Sequence, residues 1–471
     1  MFAVATFGIP IVGSFITLIA DRFSTTLRNV LTVLIVLATF ICCLTLVPYT
    51  SSQAVTTVEV PLVLPGLNLS FVIDGLGVFV ALLSSLVGLL IVLYSLGYMK
   101  DYAHQGEYYF LVVLFLGAMM GLVLSANLLL MYIFWEITAI CSWRLIGFYR
   151  DPEHLRNADT AILMTVFGSF FMLIGMEMVW HETGSLSIGS LHGYAISNLA
   201  MFFIFLGILS KSAQVPLQIW LPGAGVAPSP VTALLHAAVL VVIGVFAFAR
   251  LFVGTFEFPW NWQVVTSTVA VLTILLAGGA ALVENNAKRI LAYSTLGQLG
   301  YIFLGLASMN PIGIAGGLIY LVAHSLAKAG LFLCVGVIEQ RTHTKDIRNL
   351  SGFFRTMPIT AITFILCALT IVGFPPTAGF FGKLEIFIGS TQSGKTGFVI
   401  AAMLGAILTL VYLLRMFNAV FLGEPSHPEV KEGTPTMLIV LIAFATLSII
   451  AGFAIQSLTN FVNMIVAQLI G

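Results

Sequence analysis

Apolar stretches of about 20 residues recur along this chain, separated by short polar links. A helix needs roughly that length to cross a bilayer, where no water can satisfy its backbone. By this ruler about fourteen segments begin, near residues 2, 29, 75, 108, 128, 160, 198, 230, 265, 290, 313, 358, 396 and 435. Only 8% of the residues are charged and 59% are hydrophobic. A soluble domain carries about 25% charged residues, so a chain this long could not cover itself in water with so few ions. The expected fold class is an all-α polytopic membrane protein. Between the second and third segments, VTTVEVPLVLPGLNLSFVID alternates and carries prolines, which predicts a short β-hairpin outside the bilayer. The first segment has no basic stretch before it and no A-x-A site, so a retained helix is expected rather than a signal peptide.

Several functions are excluded or disfavoured by the same residues. Nineteen basic and nineteen acidic side chains cancel, leaving no polycation to attract nucleic acid. Cys42, Cys43, Cys141, Cys334 and Cys367 lie in apolar stretches with no C-x-x-C, which argues against a metal centre or an iron–sulfur cluster. No flavin motif is present, and the two histidines within segments are too scattered for a haem pair, so no cofactor is expected. GSTQSGKT, residues 389–396, fits the P-loop pattern, but that pattern works only between a strand and a helix of a soluble α/β domain. Here LEIFI before it ends one membrane helix and GFVIAAML after it begins another, so a turn without bound nucleotide is expected.

Positive charge sets sidedness. With the N-terminus outside, the inside links collect Arg22, Arg28, Lys100, Arg150, Arg156, Lys288, Arg289, Arg341, Lys345, Arg348, Arg355, Arg415 and Lys431. The outside links hold Arg250 and Lys395. Both termini are therefore expected outside the cell membrane (the inner membrane, where a prokaryote has two).

Against that background, the charges inside the segments stand out. An ion at the bilayer centre costs about 2.5–3.5 kcal/mol, and Glu136, Lys211, Lys328 and Lys383 all lie well within segments. They are either paired or used. Lys211 stands five residues before Pro216, and Lys383 follows Pro375 and Pro376 by eight and seven. Proline opens a helix, so both lysines sit at interrupted helices, the sequence pointer to an inverted-repeat transporter in which segments 4–8 pair with 9–13. His324 and Lys328 are four apart and share one helix face, where the imidazole is suited to passing protons. His236 is a further candidate on the eighth segment. Glu385 and Arg144 lie nearer helix ends, where an arginine can snorkel to the membrane surface.

These residues occur in strings with a known likeness. WEITAICSWRLIGFY, KSAQVPLQIWLP, APSPVTALLHAA, NNAKRILAYSTLGQLGY, HSLAKAGLFL and GFPPTAGFFGK resemble the antiporter-like subunits of respiratory complex I, of Mrp-type sodium/proton antiporters and of membrane-bound hydrogenases. The resemblance covers about residues 75–425. It implies about fourteen helices with two inverted five-helix repeats and broken seventh and twelfth helices. It also implies an input pair Glu136–Lys211, a central Lys328 flanked by His236 and His324, and an output Lys383. The expected organisation is an N-terminal unit 1–107, repeats 108–252 and 265–422, and a C-terminal helix 435–471. Three departures matter. Val242 stands where some relatives place a lysine, so the link from Lys211 to Lys328 leans on His236 and water. Gly223 stands where relatives commonly carry an aspartate, and no long lateral helix is expected after the fourteenth segment.

The expected function is translocation of protons, with sodium as a second candidate ion, by one subunit of a larger membrane complex. Its partners would be neighbouring membrane subunits, lipid, and a hydrogenase, quinone or ferredoxin oxidoreductase arm or small Mrp subunits. The rival readings are a structural or quinone-proximal component without its own ion path, and a passive channel.

Overall fold

The computed structural model describes residues 2–50, 56–61 and 68–471. Helices α1 (Phe2–Asp21) and α2 (Thr25–Thr50) lead to an antiparallel pair, β1 (Thr56–Pro61) and β2 (Asn68–Ile73), in register Thr56↔Ile73 to Pro61↔Asn68. Its connecting turn lies outside the described residues. Then follow α3 (Gly75–Tyr98), α4 (Gln105–Val123), α5 (Leu128–Ile146), α6 (Pro152–Thr183), α7 (Asn198–Lys211), α8 (Trp220–Gly223), α9 (Ser229–Ala237) and α10 (Leu240–Phe248). The second half comprises α11 (Trp260–Val283), α12 (Ala287–Leu306), α13 (Pro311–Thr342), α14 (Phe353–Thr356), α15 (Pro358–Val372), α16 (Ala378–Gln392) and α17 (Thr396–Phe421). The chain closes with α18 (Pro435–Phe453) and α19 (Ile455–Ile470). Among the described residues, eleven helices are long and apolar enough to cross a membrane. The largest offset from the expected starts is at α6, which begins at 152 rather than 160. Asp151 caps it through the His154 N–H, and Pro152 occupies its first turn.

Two stretches of the chain repeat the same local construction. Asn127 caps α5 by accepting from Leu129 N, and Asn286 caps α12 by accepting from Lys288 N. The partner helices α6 and α13 are each 32 residues long, each with proline in the first turn. Each ends on a left-handed residue, Gly184 (φ 71°) or His343 (φ 56°). The chain then returns to the cap: Asn127 bridges Ser187, and Asn286 bridges Asp346. The two clasps lie at opposite ends of the bundle: Asn127 begins α5, whose far end leads into α6, and Glu153 at the start of α6 shares a cleft with Asn286. The second is at the end that carries Arg22, Lys100, Arg150, Arg289 and Arg348, called the basic end below.

Where breaks were expected, they occur. The chain leaves helix after Lys211 and resumes at Trp220, and leaves it after Val372 to resume at Ala378. Two further interruptions were not expected. The eighth segment divides between Ala237 and Leu240, and the C-terminal segment between Phe453 and Ile455. At the first of these, the freed carbonyl of His236 accepts from His324 Nε2 at 3.1 Å and that of Ala238 from Ser84 Oγ at 2.6 Å.

Helix α16, which carries Lys383, lies against α13 through small residues. A Cβ at Gly382 would sit 2.8 Å from Tyr320 N, and one at Gly389 would run into the backbone of Gly313. In lipid, close backbone approach of this kind is a main source of helix association. Gly389→Val should therefore cost about 1–3 kcal/mol through overpacking, read as a lower unfolding midpoint in detergent.

Candidate functional site

Lys211 is the last residue of α7, fully buried, where the chain departs from helix. Its Nζ donates to the Trp135 carbonyl of α5 at 3.1 Å and lies 5.2 Å from the centre of the Trp135 ring. Glu136 is the next residue of α5, and its charge reaches Lys211. The implied input pair is nonetheless not a contact ion pair: among the described residues no carboxylate approaches Lys211 Nζ within 4 Å. Glu136 Oε1 is buried without a hydrogen-bond partner. The helix geometry explains this, because Lys211 reaches a backbone carbonyl of the same turn instead.

Lys383 is a mirror of this arrangement with one difference. It lies beyond its break, in α16, whereas Lys211 precedes its own. Its Nζ turns back to donate to the freed carbonyls of Ile371 (2.8 Å) and Val372 (3.2 Å), at the end of α15. Tyr301 and Tyr320 present their ring faces at 4.6 and 5.2 Å, which stabilises a cation. Tyr320 Oη donates to Gln298 Oε1 at 2.6 Å, Gln298 Nε2 contacts Tyr412 Oη at 3.3 Å, and Tyr412 Oη reaches Ser294 Oγ at 2.6 Å.

Between the breaks lie His236, His324 and Lys328, all fully buried. Lys328 Nζ donates to the Leu291 carbonyl at 3.2 Å. His324 uses Nε2 on the His236 carbonyl, while its Nδ1 and both ring nitrogens of His236 are without partners, as is Ser325 Oγ. The His236 ring packs on Phe332 at 4.6 Å. Lys383 is within electrostatic reach of Lys328, and Lys328 of His236. Glu136 thus lies within electrostatic reach of Lys211 without touching it, His324 is bonded to the His236 carbonyl, and Lys328 lies within reach of both His236 and Lys383. Val242, fully buried in α10, supplies no polar link between the two groups.

The remaining candidates lie apart. Arg144 pairs with Glu107, which Arg150 also engages at 2.5 Å, so it is tied down at the basic end. Glu385 is half-buried, with Oε2 unpartnered. At Gly223 a Cβ would lie 2.5 Å from Asn157 Oδ1, so the place a side chain would take is already filled by a neutral amide. The P-loop-like turn joins α16 directly to α17, with no strand before it. Its Lys395 is buried, donating to Gln263 Oε1 at 3.1 Å over the Trp260 ring, and burial pushes its ammonium down to about 8.

Sequence reasoning passed over one cluster. Lys288 was counted with the flanking charges, yet its side chain is 2% exposed and its Nζ meets Glu339 Oε2 at 2.5 Å. No local pattern announces a partner so far along the chain.

Comparison with known proteins follows the same lines. The profile of the NADH:quinone oxidoreductase/Mrp antiporter transmembrane family matches residues 125–409, and that of the NADH-ubiquinone oxidoreductase (complex I) chain 5 N-terminus matches 65–109. The Na(+)/H(+) antiporter subunit A1 proteins of Staphylococcus aureus strains JH9 and Newman are 32% identical over 431 residues, covering 84% of this chain and 54% of theirs. The chain therefore spans about half the length of the curated relatives it matches. Among solved structures, the Mrp complex from Dietzia sp. DQ12-45-1b contains a chain superposing with TM-score 0.91 at 24% identity, over 100% of this chain and 97% of that one. A chain of the membrane-bound sulfane sulfur reductase, an archaeal respiratory membrane complex, superposes with TM-score 0.90 at 22% identity, over 99% and 97%. Those two likenesses concern the fold. With the profile spanning more than half the chain, this multi-pass membrane protein belongs to the NADH:quinone oxidoreductase/Mrp antiporter transmembrane family.

Proposed function

We propose that this chain moves protons through a larger membrane complex, along Glu136, Lys211, His236, His324, Lys328 and Lys383. Where the parent assembly is of the Mrp type, as the names of the curated relatives favour, sodium is the exchanged ion. One observation carries the reading. Lys211, Lys328 and Lys383 are buried in apolar surroundings and, among the described residues, rest on backbone carbonyls rather than on carboxylates. A static structural charge in a membrane is normally neutralised by a partner. A lysine bound only to carbonyls can release its proton and remain seated through its neutral amine.

The paired clasps and the matched 32-residue helices support two inverted five-helix repeats, about residues 108–252 and 265–422, within about fourteen crossings. The crowding of basic residues at one end supports both termini outside. Neighbouring subunits would complete the assembly. Lys211→Ala in the purified complex, reconstituted in liposomes, is expected to slow proton movement about tenfold or more with assembly unchanged. Wild-type rates in that variant would favour the structural reading instead.

A further inference from the structure

At the basic end, a cleft of about 380 Å³ lies between the broken seventh segment and the start of α12. Its walls include Glu153, Gln218, Gly225, Asn286, Arg289 and Lys345. Immediately behind Gly225 lies Lys288: a Cβ built on that glycine would be 3.4 Å from the Lys288 Cβ. Lys288 Nζ donates to the Ala227 carbonyl at 2.9 Å and pairs with Glu339. Glu339 Oε2 also accepts from Ser229 Oγ at 2.9 Å, and Oε1 faces Lys345 Nζ at 3.5 Å. The two ends of this triad are fastened together by backbone: Ala287 N donates to Lys345 O, and Ile347 N to Asn285 O. Exposure falls inward, from 31% at Lys345 to 17% at Glu339 and 2% at Lys288. One helical turn further along α12, the Leu291 carbonyl holds Lys328.

We propose that Lys288, Glu339 and Lys345 form the proton gate between the basic-end cleft and Lys328, and that the net charge of the triad keeps sodium out of this route. The inference rests on the proton-moving role above and adds a mouth to it. Two ammonium groups share one carboxylate, so the triad is net positive and both carboxylate oxygens are already engaged. Glu153, an exposed carboxylate on the cleft wall, can attract a cation, but at the triad itself a sodium ion finds no free anionic ligand. A proton needs none. Hydronium in the cleft gives its proton to Glu339, forming an O–H bond and leaving water. Once Lys288 has given its own proton, through water, to the neutral amine of Lys328, Glu339 passes the new one to the Lys288 amine and returns to carboxylate. One proton enters per cycle, and each N–H or O–H bond broken is matched by one formed.

The test uses the intact complex in liposomes with an entrapped pH dye. Glu339→Gln, Lys288→Met and the double variant are compared with wild type and with Lys383→Ala. The double variant decides, because removing both members of a purely structural pair leaves no stranded charge in the buried layer, and Lys345, at 31% exposure, meets water instead of Glu339. The gate predicts that it stays slower than wild type by about tenfold or more; a return to the wild-type rate overturns the gate. If instead Lys383→Ala also runs at the wild-type rate, the proton-moving role itself fails. For the charge filter, Lys345→Glu should raise radioactive sodium uptake through the cleft about threefold or more; unchanged uptake removes that half of the proposal.

Discussion

Lys383→Ala is expected to lower proton movement about 100-fold. The ammonium is the polar group that spans the second break, gripping the Ile371 and Val372 carbonyls between the faces of Tyr301 and Tyr320. Without it a proton must cross that stretch unassisted, at a cost comparable to placing an ion mid-membrane, about 2.5–3.5 kcal/mol. Each 1.4 kcal/mol or so is tenfold in rate. Lys383→Arg separates function from support. Arginine keeps the charge and can bond the same carbonyls, but it does not release its proton. The arginine variant should therefore be as slow as alanine, measured with an entrapped pH dye in liposomes. A wild-type rate with arginine would make Lys383 a brace.

Glu136→Gln should slow proton movement about 30-fold while leaving unfolding within about 0.5 kcal/mol of wild type. The second half of that expectation follows from the geometry. Glu136 makes no contact ion pair, and one of its carboxylate oxygens is buried and unpartnered. Glutamine has the same shape, and Lys211 keeps its bond to the Trp135 carbonyl, so no direct contact is lost. A structural glutamate would behave in the opposite way, costing stability when neutralised and sparing the rate. Parallel detergent unfolding and liposome flux on one preparation distinguish the two outcomes.

How far these features could be read in advance depended on how local they are. The helices were legible because a run of apolar residues about as long as a bilayer is thick needs no further context. The breaks at Lys211 and Val372 were legible because proline advertises them. The break in the eighth segment was not: LLHAAVLVV contains neither proline nor glycine. Its freed carbonyls are taken by His324 and Ser84, which come from far along the chain. That Lys211 precedes its break and Lys383 follows its own could be read from the prolines; only the folded helices show both amines arriving at an opening. Glu136 read as the partner of Lys211, but the lysine bonds the adjoining carbonyl. The site's tyrosines, Gln298 and the Lys288–Glu339 pair escaped for one reason. A polar residue in an apolar run gives no sign of which neighbour it will meet across the bundle.

The two clasps, Asn127 with Ser187 and Asn286 with Asp346, give the molecule a built-in replicate. The same knot is tied once at each pole, so identical lesions at Asn127 and Asn286 disturb one construction in two surroundings. Whatever they share belongs to the knot; whatever separates them reports the residues packed around it.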